Sequence, residues 1–123
     1  MRIIIKGHIP GKKNLYLRSK NGRMFKNSAL QAEIDAITRQ ILMQAGNIQP
    51  LVHPTIRAHF VCSDARSDID NKWTTVQDCL VKAGVLINDN LKHLRGPITI
   101  SGEVVRGREE ASIEIMGGSN GQS

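Results

Sequence analysis

Apolar positions along this chain recur alternately at a period of two and at a period near 3.6, and each change of period marks an element boundary. Ile3, Ile4 and Ile5 form a β-branched run closed by Gly7 and Pro10-Gly11, which predicts a first strand. Residues 12–26 carry no period. Asn21-Gly22 is a turn signal there, so the segment reads as a loop or loose hairpin with Tyr16 and Phe25 as packing anchors. Ser28-Ala-Leu-Gln31 fits the S-x-x-Q capping box and predicts a helix following Ser28 as its cap. Leu30, Ile34, Ile37, Ile41 and Leu42 give that helix one apolar stripe, and Ala45-Gly46 closes it.

Pro50 and Pro54 make residues 47–54 a connector. From Thr55 to Ser63 the chain alternates, with Ile56, Ala58, Phe60 and Cys62 on one face of a strand. Asp70-Asn71 is a helix start, Trp73, Val76, Leu80 and Ala83 follow at helical spacing, and Gly84 is the stop. Ile98, Ile100, Gly102 and Val104 predict another strand. Ala111, Ile113 and Ile115 predict its hairpin partner, joined through a turn at Arg106-Gly107-Arg108. Gly117 to Ser123 reads as a flexible tail. The order β, loop, α, β, α, β, β implies an α+β domain over residues 1–116: a small mixed or antiparallel sheet with both helices on one face.

Composition narrows the class. A chain of 123 residues with 40% hydrophobic and 23% charged residues makes one soluble domain. Its opening apolar run is too short for a signal peptide, and no run is long enough to span a membrane, so the expected location is the cytoplasm. Cys62 and Cys79 suit reduced, buried thiols. His59, Cys62, Cys79 and His93 match no common zinc spacing.

Charge distribution says more than the net +6. Arg2, Lys6, Lys12, Lys13, Arg18, Lys20, Arg23 and Lys26 fall in the first 26 residues, which hold no acidic side chain. The remainder is nearly neutral. A cationic arm over residues 10–27 on a neutral body points to a polyanionic partner, with Lys12, Lys13, Arg18, Lys20, Arg23 and Lys26 as phosphate contacts.

Asp68 and Asp70 stand two residues apart ahead of the second helix, and Asp89 follows that helix. In an extended segment residues i and i+2 point to the same side, so Asp68 and Asp70 would repel unless a cation lay between them. Oxygen-only ligands favour Mg²⁺, or Mn²⁺, over zinc. The same Asp-x-Asp also serves as a plain helix cap, and the pair alone does not decide.

The run Asp68-Ile-Asp70-Asn71, then Leu80, Lys82-Ala83-Gly84 and Asn88-Asp89, resembles the signature of the RusA family of Holliday junction resolvases. The likeness extends over about the first 95 residues, through the cationic arm, first helix and strand into D-x-D. It implies a homodimeric, magnesium-dependent endonuclease of phage or prophage type that cuts four-way DNA junctions in recombination and repair. Asp68, Asp70 and Asp89 would be its essential carboxylates and metal ligands. The family's catalytic lysine falls at Thr74 here. Lys72, Arg95 or an arm lysine would have to supply that charge, with Lys72 the first candidate, or turnover is reduced. A metal nuclease for another branched DNA and a DNA-binding protein without catalysis are the alternatives. A helix over 71–83 carries the chain about 20 Å from Asp70. The five residues from Gly84 to Asp89 return at most about 17 Å, which favours an Asp89 donated across the dimer.

Overall fold

The alternating strand Thr55–Cys62 (β5) is buried on the face carrying Ile56, Ala58, Phe60 and Cys62, and the sheet is assembled round it. A computed structural model describes residues 1–11, 16–18, 20–52, 54–87, 97–117 and 119–120, and within the short strands some side chains are also left undescribed. In chain order the other elements are β1 (Arg2–Lys6), β2 (Tyr16–Arg18), β3 (Met24–Lys26), α1 (Ser28–Ala45) and β4 (Leu51–Val52). After β5 come α2 (Ile69–Lys82), β6 (Ile98–Val104), β7 (Glu110–Met116) and β8 (Ser119–Asn120). The main sheet has the order β1-β7-β5-β6. β6 runs parallel to β5, and β7 runs antiparallel to both β5 and β1. This is the expected α+β domain, a four-stranded mixed sheet with two helices.

One expected pairing is corrected. β6 and β7 are not a hairpin, because β5 lies between them. The β5–α2–β6 unit places β6 beside β5, so Ile98 and Ile100 extend the apolar face that Ile56 and Ala58 begin. The link over 105–109 must then pass the end of β5 to reach β7 on its other side. Val105 N–H donates to the Cys62 carbonyl (2.9 Å) and Gly107 turns the chain at φ 79°.

Leu30, Ile34, Ile37 and Ile41 of α1 pack with Trp73, Val76, Cys79 and Leu80 of α2 in one core over the sheet. Two details of α1 differ from the sequence pattern. Asn27, not Ser28, is the N-cap, its side chain accepting from Leu30 N–H (3.2 Å), and Gln31 bonds to Asp35 instead of reaching back. Leu42 is exposed, because its neighbour Ile41 already fills the buried stripe. Two short strands fall within the expected connector and tail: Leu51–Val52 pairs antiparallel with Ser119–Asn120. Residues 16–18 and 24–26 form the loose hairpin, with Gly22 at φ 78° in its turn; the packing role expected of Tyr16 and Phe25 falls on side chains outside the described set. The opposite sheet face is polar, with Lys6 on Glu110 (2.9 Å) and His59 between Ser101 (2.8 Å) and Glu103 (3.1 Å). Among the described residues no helix is long and apolar enough to cross a membrane.

β1 ends the sheet on one side, and α1 closes that edge with side chains. Gln44 accepts from Ile4 N–H (2.8 Å) and donates to Ile4 C=O (2.6 Å); Gln40 does the same at Lys6 (2.8 and 3.1 Å). Each amide thus satisfies the backbone groups a further strand would have used. Replacing both glutamines by alanine should lower stability by about 1–2 kcal/mol, since the bonds are solvent-accessible. It should also make the protein self-associate with rising concentration. Unchanged denaturation together with unchanged sedimentation would show that the amides do not guard the edge.

Candidate functional site

The chain leaves β5 at Cys62, turns through 63–67 and enters α2 at the same end of the sheet. Asp64 shapes the turn. Its carboxylate accepts from Arg66 N–H (2.8 Å) and pairs with the Arg66 guanidinium (3.3 Å), and these bonds hold its pKa below the usual carboxylate range. Asp68 is the N-cap of α2, with extended backbone and a side chain accepting from Asn71 N–H (3.1 Å). The helix therefore starts at Ile69, two residues earlier than Asp70-Asn71 suggests, and Asp70 lies inside its first turn. Asp68 and Asp70 are not consecutive same-side residues of an extended segment. They are two exposed carboxylates on one helix start, both favoured by its unpaired N–H groups. Gly102 on β6 lets that start sit close: a Cβ there would lie 3.2 Å from Ile69 Cγ2.

The root of the cationic arm rests on the same turn. Lys72 is only 5% exposed, and its Nζ donates to the Ile9 carbonyl (2.9 Å). Thr75 Oγ1 donates to the Pro10 carbonyl (2.7 Å). Gly11 meets the Asn71 side chain so closely that a Cβ would fall 1.8 Å from its Nδ2. Three successive arm-root residues are thus matched to three α2 residues that share one side of the helix. Lys72 was expected to reach towards the aspartates; its ammonium is instead committed to the arm root.

Glu109, which sequence reasoning passed over, completes the arrangement. The link that passes the end of β5 puts its carboxylate on Ser63, accepting from Oγ (2.9 Å) and from N–H (3.4 Å). Lys72 Nζ and His8 Nδ1 each stand 3.8 Å from it. Partial burial raises the Glu109 pKa, but the Ser63 bonds, Lys72 and His8 outweigh this and hold it below the usual glutamate range. Its ionised form therefore adds stability above the unfolded-state pKa, and that contribution is lost as the pH falls through the lower folded-state pKa. A hairpin between β6 and β7 would have carried Glu109 elsewhere, so no signal in the sequence pointed to it.

The remaining expected residues are distributed as follows. Lys20 and Arg23 flank the hairpin turn and are exposed. Arg18 and Lys26 lie on β2 and β3, with side chains outside the described set. Lys12, Lys13, Asp89 and Arg95 lie outside the described residues. Hard oxygen donors at Asp68 and Asp70 suit Mg²⁺, but two carboxylates are a partial set. Among the described residues no three acidic, histidine or cysteine side chains converge to hold a metal. Cys62 and Cys79 are buried and form no disulfide, and the Cys79 thiol donates to the Ile34 carbonyl (3.6 Å).

Lys72→Ala would leave the Ile9 carbonyl without its donor and the Glu109 carboxylate without its nearest cation. The expected loss is about 2–3 kcal/mol of stability. Urea denaturation measures it, and a change below about 0.5 kcal/mol, the size of an ordinary surface substitution, would remove the proposed anchoring.

No family model matches this chain, and no curated protein matches it.

Proposed function

We propose that this protein is a Mg²⁺-dependent, structure-specific endonuclease acting on branched double-stranded DNA, with the four-way junction as its substrate and a homodimer as its working form. The observation that carries this reading is the seating of the arm root on the first two turns of α2, through Lys72, Thr75 and the side-chain-free Gly11. The cationic segment and the Asp68–Asp70 pair thereby start from one end of the molecule. Phosphates held by the arm would then be delivered beside the carboxylates. The D-x-D-N resemblance to RusA resolvases supports the same reading.

Within it, Asp68, Asp70 and Asp89 would hold Mg²⁺, or Mn²⁺. Such an ion, when bound, makes a coordinated water acidic and offsets charge on phosphoryl oxygens. Asp68 keeps its orientation through Asn71 N–H, and Asp70 is held by the helix backbone itself. Lys20 and Arg23, together with Lys12, Lys13, Arg18 and Lys26, would grip the DNA backbone without reading sequence. A two-fold dimer would match a two-fold junction.

A second reading is favoured by one specific observation. Thr74 stands where the resolvase pattern has lysine, and it donates to the Asp70 carbonyl (3.1 Å), while Lys72 is buried under the arm root. A basic protein that binds branched DNA without cutting it would have this arrangement too.

Cleavage of four-way, three-way, flap and linear duplex DNA, with Mg²⁺ and then with a chelator, separates the two. The expected result is cutting of the four-way junction that the chelator abolishes. Asp70→Asn should reduce cutting by about 100-fold or more while junction binding stays equal or tightens, since a carboxylate facing phosphate is removed. Tight binding with no cutting under any divalent ion would establish the second reading.

The position of Asp89 generates a further test. Leu86 N–H bonds to the Leu80 carbonyl (3.3 Å), so the chain has folded back only to the last turn of α2. Three residues lead from Leu86 to Asp89, about 10 Å of reach, whereas the helix between Leu80 and Asp68 is about 18 Å long. Even fully extended along α2, that segment leaves the Asp89 backbone about 8 Å short of Asp68 within one chain, whereas a partner's Asp89 faces no such limit. Asp70→Asn and Asp89→Asn subunits, each inactive alone, should therefore regain single-strand nicking when mixed. A mixture shown to exchange subunits yet still inactive would place every carboxylate within one chain.

A further inference from the structure

We propose that Glu109 is a positioning residue that couples the root of the cationic arm to the turn carrying the aspartates. The coupling stands on contacts within the chain; its use in catalysis rests on the nuclease reading above. Glu109 belongs to neither segment. It arrives from the link beyond β6, and it touches both.

On the arm side, the Glu109 backbone carbonyl accepts from Gly7 N–H (2.9 Å), and its carboxylate faces His8. Lys72 extends this contact, standing between the Glu109 carboxylate (3.8 Å) and the Ile9 carbonyl (2.9 Å). On the aspartate side, the same carboxylate accepts both the hydroxyl and the N–H of Ser63, the residue that opens the 63–67 turn. That turn closes on itself through Ser67 N–H to the Asp64 carbonyl (3.2 Å) and leads directly to Asp68. The carboxylate at Glu109 therefore lies between residues 7–9 and residue 63, which are more than fifty positions apart in the chain. A side chain without charge or acceptors would leave the two segments connected only through the helix and the sheet.

The arrangement also separates two roles for the negative charge. The Ser63 contacts need acceptor oxygens, which a glutamine retains at one atom. The Lys72 contact needs charge, which a glutamine lacks. Glu109→Gln and Glu109→Ala thus remove the coupling in two stages. Glu109→Gln is nearly isosteric, so it reports even if the alanine variant folds poorly.

The test is amide hydrogen exchange read by mass spectrometry on the full chain, alongside junction binding and cleavage. Glu114→Gln, on the polar sheet face, serves as control. In Glu109→Ala, exchange should rise about tenfold in peptides covering 2–11 and 63–72 together, with α1 unaltered; Glu109→Gln should lie between it and the wild type. Cleavage should lose about tenfold in kcat with junction affinity within about threefold, and glutamine should recover part of it. A rise confined to one segment, or no rise in either, would overturn the coupling. Wild-type kcat in Glu109→Ala would overturn the positioning role. If the wild type cuts no branched DNA, the nuclease reading falls and the exchange data still decide the coupling.

Discussion

A single buried ammonium sets the relation between the two halves of this protein. Lys72 has almost no exposure, so its charge needs a partner and its three donors need acceptors. The Glu109 carboxylate, 3.8 Å away, supplies the opposite charge and the Ile9 carbonyl accepts one of the donors, and the two come from opposite ends of the chain. Once they are in place, the end of β1, the start of α2 and the entry to β7 have little freedom relative to one another. Removing any one of the three would leave a buried polar group to be solvated some other way. The arrangement is therefore conditional on the whole fold, since no local segment contains more than one of its members.

That dependence separates what the residues disclosed from what they concealed. The helical stripe of Leu30, Ile34, Ile37 and Ile41, the alternation of β5 and the turn at Asn21-Gly22 all concern neighbours within about ten positions, and each was legible. The start of α2 was legible to within two residues, because Asp68 and Asp70 are both good first-turn or cap residues and only the backbone geometry chooses between them. The order of the strands was hidden. A turn at Arg106-Gly107-Arg108 between two alternating runs suits a hairpin, and it suits equally well a link that passes an intervening strand. In the observed order β6 lies parallel beside β5, and its Ile98 and Ile100 pack against the core shared with the apolar face of α2.

The same hidden step governs the candidate site. Asp68 and Asp70 were readable as chemistry because they are close in sequence. Glu109 was not readable, because its proximity to Ser63 exists only after β7 has been placed on the far side of β5. Lys72 was readable as a charge near the aspartates but not as a buried one. Its burial follows from Ile9 and Pro10 lying across the helix, and neither residue carries a local sign of doing so.

The glutamine pair on β1 carries a geometric limit. Residues four apart on a helix rise by about 6.0 Å, whereas residues two apart on an antiparallel strand rise by about 6.8 Å. Gln40 and Gln44 can therefore match Lys6 and Ile4 as two marks on a vernier match, with the small mismatch absorbed by side-chain torsions. Each further rung would add about 0.8 Å of error and about 40° of rotation away from the strand. A third amide would soon fall outside hydrogen-bonding range. An edge strand guarded in this way is restricted in length by arithmetic alone, and β1, at five residues, is close to the longest that one helix can cover.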